Sequence, residues 1–210
     1  TSIILPDGLK EILNDNFHEY TALETLTIPE SVENIEDILR RCNNIKAFYG
    51  NPRFVSEDNA FLYKDYFNGY GKWMIHFASK AGYTEYTIPE GIEGINTDCF
   101  CYVETLKELT FPSSIKYVSS ADAFRGTYNI EKIYVAIPSS TAEEKRDILN
   151  ICKETGCELK NLPGVYQFVT GEVSVKAMKT VSVEDLLGRD PIRVNMDEIF
   201  VALRDKTILV

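Results

Sequence analysis

Apolar and polar residues recur in a fixed order around four prolines in the first 135 residues of the chain. Before each proline, apolar residues stand at alternate positions, as Leu26 and Ile28 do, and this period of two predicts a short β-strand. The proline cannot donate a ladder hydrogen bond and should therefore end the strand. Further apolar residues follow at three, six, ten to twelve and sixteen to eighteen positions after each proline. The four anchors are Pro6, Pro29, Pro89 and Pro112.

The four copies are predicted to stack on one another. Each has too few apolar residues to fill a core of its own, so neighbouring copies must share one apolar column. The pattern L-x-x-L-x-I-P-x-x-V-x-x-I-x-x-x-x-F resembles the BspA-like, or Treponema-type, leucine-rich repeat family over about residues 1–135. The resemblance implies a solenoid and places Cys42 near a buried cysteine position of the family.

A β-hairpin is predicted inside the repeats, in an insertion at about residues 50–85. The anchor prolines are spaced 23, 60 and 23 residues apart, so the middle interval holds far more than one repeat. Within it, two apolar runs flank Asn68-Gly69, a dipeptide typical of a type I′ turn. Members of the BspA-like family carry such hairpins between repeats, which agrees with the resemblance.

The hairpin is rich in aromatic residues, and two interpretations of them remain open. Tyrosine and tryptophan near a loop tip suit a binding surface, because they offer a large contact area at low entropic cost. The other interpretation is that the hairpin packs its rings against the flank of the solenoid, with Phe61, Met74 and Phe77 in the core. The candidates for partner contact are Tyr66, Phe67, Tyr70 and Trp73.

The pattern changes after about residue 132, where a strand, a helix and a second strand are predicted over 132–163. Thr141 and Glu144 form a capping box at the start of the helix, and Gly156 stands at its C-terminal end. An apolar stripe between them predicts one buried helix face. Together these elements form a βαβ unit. Beyond it, 164–194 is predicted to be an extended linker with short strands.

A last short helix, capped by Asn195 and Glu198, should precede a terminal strand at Thr207–Val210. That strand either joins the sheet of the βαβ unit or forms an exposed edge that a neighbouring chain covers. In the second case the chain forms a homo-oligomer through the terminal strand.

Residues 133–210 resemble a second family, the CapD-like nucleotide-sugar dehydratases of polysaccharide biosynthesis. The matching stretches include "VEDLLGRDPI", "NMDEI" and "KTILV". The resemblance implies a segment between two domains of that family, cut before the glycine-rich loop that follows the first Rossmann strand. No residue of this chain corresponds to a catalytic residue of the family, so catalytic and cofactor-binding residues are predicted to be absent.

The predicted fold class is α/β. A short leucine-rich-repeat solenoid with an inserted β-hairpin should occupy residues 1–132. A small βαβ, partly Rossmann-like, C-terminal segment with a linker, a helix and a terminal strand should occupy residues 133–210.

The charge and the hydropathy of the chain argue against several classes of function. A formal net charge of −10, with no cluster of lysine or arginine, argues against binding to nucleic acid or to an anionic membrane surface. No apolar run approaches the roughly 20 residues that a membrane-spanning helix needs.

Nothing in the remaining residues predicts a metal site or a cofactor. His18 and His76 are isolated in sequence and are interpreted as core or surface histidines. The cysteines lack the paired spacing of a zinc site and are interpreted as buried thiols. They are Cys42, Cys99, Cys101, Cys152 and Cys157.

The sequence therefore predicts a non-catalytic interaction module that binds a protein or a glycan through its leucine-rich repeats. The alternative is a truncated or fused fragment of a nucleotide-sugar 4,6-dehydratase or epimerase of polysaccharide biosynthesis, inactive as it stands. The two resemblances also imply different locations. The repeat favours a secreted or cell-surface protein and the C-terminal part favours the cytoplasm, and the sequence leaves this choice open.

Overall fold

The fold is built from short strands in two columns, as a stacked repeat requires. The computed structural model describes residues 1–13, 16–66, 69–135, 141–161 and 179–180. Strands of the first column precede the anchor prolines or take equivalent places: β1 (Ser2–Ile4), β3 (Thr25–Ile28), β5 (Ala47–Gly50), β8 (Glu85–Thr87), β10 (Glu108–Phe111), β12 (Lys132–Val135), β13 (Glu158–Asn161) and β14 (Lys179–Thr180). Strands of the second column follow the prolines or belong to the insertion: β2 (Glu11–Ile12), β4 (Asn34–Ile35), β6 (Phe61–Tyr66), β7 (Gly71–Phe77), β9 (Ile92–Ile95) and β11 (Tyr117–Val118).

Equivalent strands of neighbouring repeats pair in parallel. In the first column, β3 lies between β1 and β5, and a second sheet has the order β14-β13-β12-β10-β8. In the second column, β2 pairs with β4, and the other sheet has the order β11-β9-β7-β6. The strands β3 and β10 end at Ile28 and Phe111, directly before Pro29 and Pro112, as predicted.

The predicted apolar positions form the core. In the second, third and fourth copies, all four recurring positions are buried. In the first copy Ile12 and Leu23 are buried, whereas Leu9 and Phe17 are only partly buried. Strands β1 and β2 are edge strands of the described sheets.

Serine side chains connect neighbouring repeats in the same way at two places. The Oγ atom of Ser31 accepts a hydrogen bond from the Gly8 amide at 2.9 Å and donates to the Leu9 carbonyl at 2.9 Å. One repeat pair further on, Ser114 Oγ accepts from the Gly91 amide at 2.9 Å and donates to the Ile92 carbonyl at 2.7 Å. The repeated geometry shows that the solenoid follows the sequence period in its polar contacts as well as in its core.

The predicted hairpin is formed by β6 and β7, which pair antiparallel and join the second column through β7 and β9. Its two faces pack into two different apolar clusters. Phe61, Met74 and Phe77 belong to the cluster of the later repeats, as the sequence predicted for the core positions. Leu62 and Ile75 belong to the cluster of the first repeats. The hairpin is thus a packed layer between two parts of the solenoid.

The turn of the hairpin includes Phe67 and Asn68, which lie outside the described residues. The type I′ turn therefore stays a prediction. Gly69, the next residue, has a φ of 82°, which a glycine adopts without strain.

A helix follows β12, as predicted. A short 3₁₀ helix at Ala121–Phe124 precedes it, and α1 spans Ala142–Glu154. Thr141 and Glu144 make both hydrogen bonds of the capping box, because the Thr141 side chain accepts from the Glu144 amide and the Glu144 side chain accepts from the Thr141 amide. Gly156 has a φ of 78° just after the helix end. The buried face of α1 carries Ile148, Leu149 and Cys152.

The sheet continues from the repeats into the strand–helix–strand unit. Strand β12 pairs in parallel with β10 on one side and with β13 on the other, and α1 lies between β12 and β13 in sequence. Residues from Ala60 to Leu159 contribute to one apolar cluster. The division at residue 132 and the Rossmann-like character of the second part stay predictions.

The final predicted elements fall largely outside the described residues. Strand β14 pairs antiparallel with β13 and is the described part of the predicted linker. The helix capped by Asn195 and Glu198 and the strand at Thr207–Val210 lie outside the described residues.

Candidate interaction surface

An aromatic side chain on β7 reaches another on β11 across the intervening strand. The strands pair so that Trp73 and Tyr117 both stand opposite Gly94 on β9. A Cβ atom on Gly94 would lie 2.2 Å from Cδ2 of Trp73, so the indole occupies the space that a side chain would fill. The Trp73 and Tyr117 rings stack with centroids 5.8 Å apart and planes 11° apart.

Two tyrosines extend this stack. Tyr66 meets Trp73 edge to face with ring centroids 5.9 Å apart, and Tyr70 meets Tyr117 in the same manner at 6.4 Å. The indole Nε1–H of Trp73 donates a hydrogen bond to the Tyr70 carbonyl at 2.7 Å, which ties the end of the turn to the sheet. We call Tyr66, Tyr70, Trp73 and Tyr117 the aromatic surface.

The structure brings three of the four sequence candidates together. Tyr66 and Trp73 are half-buried and Tyr70 is 55% exposed. Phe67 lies outside the described residues. The role of these side chains in partner contact stays a prediction.

Sequence reasoning missed Tyr117 and Gly94. Both stand five positions after an anchor proline, at Pro112 and Pro89, and this offset marks the outward-facing residue of the second-column strand. An alignment of the copies has a glycine at this offset in one copy and a tyrosine in the next. This pair of residues is the sequence signal that could have found the stack.

The glycine at the start of β7 has a positive φ, and the end of the Glu93 side chain lies beside it. Gly71 has a φ of 68°, and a Cβ atom there would lie 2.3 Å from Oε1 of Glu93. Glu93 in turn accepts a hydrogen bond from Lys116 Nζ at 2.6 Å. This hydrogen bond is the main reason that the pKa of Lys116 lies above its usual value.

Both acidic and basic side chains lie near the rings of the hairpin. Burial raises the pKa of Tyr66, and the negative charges of Asp37 and Glu36 raise it further. Two lysines of the hairpin already lie over tyrosine rings, with Lys64 Nζ at 5.3 Å from the Tyr66 centroid and Lys72 Nζ at 4.5 Å from that of Tyr63. These distances are typical of cation–π contacts.

A cleft of about 700 Å³ adjoins the aromatic surface between β11 and α1. Tyr117 belongs to both the cleft and the aromatic surface. Hydrogen bonds with Thr141 hold the pKa of Glu144 below its usual value. The polar residues that line the cleft are Lys116, Ser119, Thr141, Glu143, Glu144, Asp147 and Asn150.

A second cleft, of about 600 Å³, lies between the 50–63 segment and the start of β9. The Tyr86 hydroxyl donates to Asp58 Oδ2 at 2.7 Å beside it. Ser56 Oγ donates to Asp58 Oδ1 at 2.6 Å. The two hydroxyls and the Asp58 carboxylate thus satisfy one another's hydrogen bonds. Among the described residues that line this cleft, no reactive group is evident.

The cysteines and histidines take the places expected of structural residues. All five cysteines are free, and four of them are buried. His76 is buried and packs edge-on against Phe48 at 6.0 Å, whereas His18 is near Glu19 at the surface. In the described part of the chain, no group of three or more histidine, cysteine, aspartate or glutamate residues is placed to hold a metal ion. None of the helices described there has the length and apolar character that crossing a membrane requires.

The repeat geometry agrees with the comparison to known families. The BspA type leucine rich repeat region matches residues 1–66 and 75–155 in six copies, and the chain belongs to this family. The match passes the end of β12 and includes α1. It leaves out residues 67–74, which hold the tip of the hairpin with Tyr70 and Trp73.

Two curated proteins are similar to part of the chain. The capsular polysaccharide biosynthesis protein CapD of Staphylococcus aureus is 36% identical over 107 residues, which are 50% of this chain and 18% of that protein. The probable polysaccharide biosynthesis protein EpsC of Bacillus subtilis (strain 168) is 33% identical over 81 residues, which are 39% of this chain and 14% of that protein. The matched part of the chain spans less than a fifth of either relative. Both resemblances predicted from the sequence are confirmed.

The solved structures that match part of the chain include a leucine-rich repeat protein from Bacteroides ovatus ATCC 8483. It is 16% identical, with a TM-score of 0.45, and the match covers 77% of this chain and 42% of that chain.

Proposed function

We propose that the chain is a non-catalytic interaction module, whose leucine-rich repeats present the aromatic surface to a protein or glycan partner. The observation that carries the proposal is the stack of Trp73 on Tyr117 over Gly94, beside the exposed ring of Tyr70. Phe67 is included in the proposed contact region because of its place in the sequence.

The aromatic surface has features that binding sites share. Tyrosine and tryptophan are enriched among the residues that dominate binding energy, and rings held rigid before binding lose little entropy on complex formation. Here the ring contacts and the Trp73–Tyr70 hydrogen bond link all four rings of the aromatic surface to one another. The tip lies outside the repeat match, so the repeat pattern alone does not explain its aromatic residues.

The test is a comparison of captured partners. The chain, immobilised through a terminal tag, is exposed to extracts of its source cells and to a glycan array. Substitution of Tyr66, Phe67, Tyr70 and Trp73 by alanine is expected to abolish capture. The matched control is Tyr20→Ala, because Tyr20 is also 55% exposed and lies in the first repeat. Capture that survives the fourfold substitution removes the hairpin from the proposal.

A second candidate function follows from the similarity to CapD. Its 36% identity over 107 residues favours a segment of a polysaccharide biosynthesis protein. The resemblance seen in the sequence implies that such a protein is a nucleotide-sugar 4,6-dehydratase or epimerase. The coding DNA beyond Val210 tests this candidate. A glycine-rich turn encoded directly after Val210 supports it, and a stop codon contradicts it. For the chain as given we expect no saturable binding of NAD or NADP at micromolar concentration.

A further inference from the structure

Negative charge flanks the aromatic surface at both ends. At one end, Glu36 and Asp37 act on Tyr66. At the other end, the cleft beside Tyr117 is lined by the carboxylates of Glu143 and Asp147. Both side chains are exposed, and within the described residues neither forms an ion pair. The chain as a whole carries a formal net charge of −10.

Three basic residues of this region are already engaged. Lys116 pairs with Glu93 at 2.6 Å, Lys64 lies over Tyr66, and Lys72 lies over Tyr63. Among the described residues, no lysine or arginine lies over the ring of Tyr70, Trp73 or Tyr117 in the same way. The contacts of Lys64 and Lys72 show how an ammonium group lies over a tyrosine ring of the hairpin.

We propose that the partner of the aromatic surface is an extended protein segment that carries lysine or arginine side chains. One cation lies against the rings of Tyr70, Trp73 and Tyr117, and a neighbouring cation enters the cleft and meets Glu143 and Asp147. The inference rests on the proposed function, and it adds the chemistry of the partner. The charges are complementary, because an acidic rim favours a basic partner and repels an anionic one.

Trp73 makes the inference measurable, since it is the only tryptophan of the chain and its emission reports on this surface alone. The probe is a decapeptide of alternating lysine and serine, titrated into the full chain at low salt. Two decapeptides with glutamine or glutamate in place of lysine, and a neutral glucan oligosaccharide, are titrated in parallel. We expect a saturable change in emission with the lysine peptide and none with the other three.

Variants then locate the binding. Tyr70→Ala is expected to raise the dissociation constant of the lysine peptide at least about threefold, and Glu143→Gln combined with Asp147→Asn is expected to do the same. Tyr20→Ala, with the same exposed fraction as Tyr70, should leave it unchanged. Raising NaCl from about 20 to about 200 mM should weaken binding, because the acidic rim is screened. Circular dichroism verifies that each variant is folded, and the acidic double variant leaves every ring contact in place.

The outcomes separate this inference from the proposed function. Equal binding of the glutamine peptide, or binding of the glucan alone, overturns the basic partner but supports the aromatic surface as a contact site. The basic partner is also overturned, and the contact site supported, if the acidic double variant binds the lysine peptide with an unchanged dissociation constant. If none of the probes gives a response, the inference is overturned. The proposed function is decided separately, by whether the chain captures a partner and whether the fourfold variant loses that capture.

Discussion

Trp73 and Tyr117 stack across Gly94, although the two rings belong to strands that are 44 positions apart in the chain. The stack needs a residue without a side chain on the strand between them, because the indole lies where a Cβ atom would be. It joins the inserted hairpin to the repeats that follow. Trp73 is therefore held to the solenoid by packing as well as by the strand ladder.

Replacement of Gly94 by alanine should destabilise the chain. The added Cβ would meet Trp73 at 2.2 Å, and overpacking of this kind costs about 1–3 kcal/mol. The measurement is chemical unfolding followed by circular dichroism, with the Trp73 emission as a second signal. In a Trp73→Ala background the same replacement should cost less than about 0.5 kcal/mol. An equal cost in both backgrounds would contradict the role of the indole.

Truncation of the two hairpin faces should destabilise the chain similarly. Phe61→Ala opens the cluster of the later repeats and Leu62→Ala opens the cluster of the first repeats. Each should cost about 2–5 kcal/mol, because large-to-small core substitutions leave a cavity. Urea unfolding measures the cost, and Tyr20→Ala is the surface control. A loss confined to one of the two variants would show that the hairpin supports only one part of the solenoid.

Acid should destabilise the chain through His76. Burial lowers the pKa of this imidazole from 6.5 to about 4, and among the described residues its Nε2 atom has no hydrogen-bond partner. The unfolded chain therefore binds the proton more tightly than the folded chain does. The contribution of His76 to stability is fully present above pH 6.5 and is lost as the pH falls toward 4. The stability that is lost when the pH has fallen below the folded-state pKa of His76 is about 3 kcal/mol.

His76→Leu isolates this contribution. The free energy of unfolding of the histidine protein minus that of the leucine variant should fall between pH 7 and pH 4.5, because only the histidine protein loses stability from this group. Urea unfolding at both pH values measures it. A constant difference across that range would show that His76 is not buried as described.

The two serine connections should contribute equally. Ser31→Ala and Ser114→Ala each remove a hydroxyl that accepts from a glycine amide and donates to a carbonyl of the preceding repeat. We expect each to cost about 1 kcal/mol, since both connections are partly exposed. Thermal unfolding measures both variants under the same conditions. A marked difference between them would contradict the equivalence of the two repeat junctions.

The α1 region shows how far local sequence signals reach. Thr141, Glu144 and Gly156 lie within one helix length of each other, and their pattern is sufficient to predict both helix ends. The signals are local because capping is satisfied by hydrogen bonds to the adjacent backbone. They do not indicate that β12 and β13 continue the repeat sheet. That continuity depends on pairing with β10, which is distant in sequence.

The sequence by itself determined the repeat period, the buried positions, the hairpin and the helix, because each has a local pattern of apolar residues, prolines or caps. Only the tertiary structure decided that Tyr117 joins Tyr66, Tyr70 and Trp73, and that the hairpin forms a layer with a different cluster on each face. These features depend on the register between strands far apart in the chain. Register is set by the packing of many side chains at once, and no local pattern carries it.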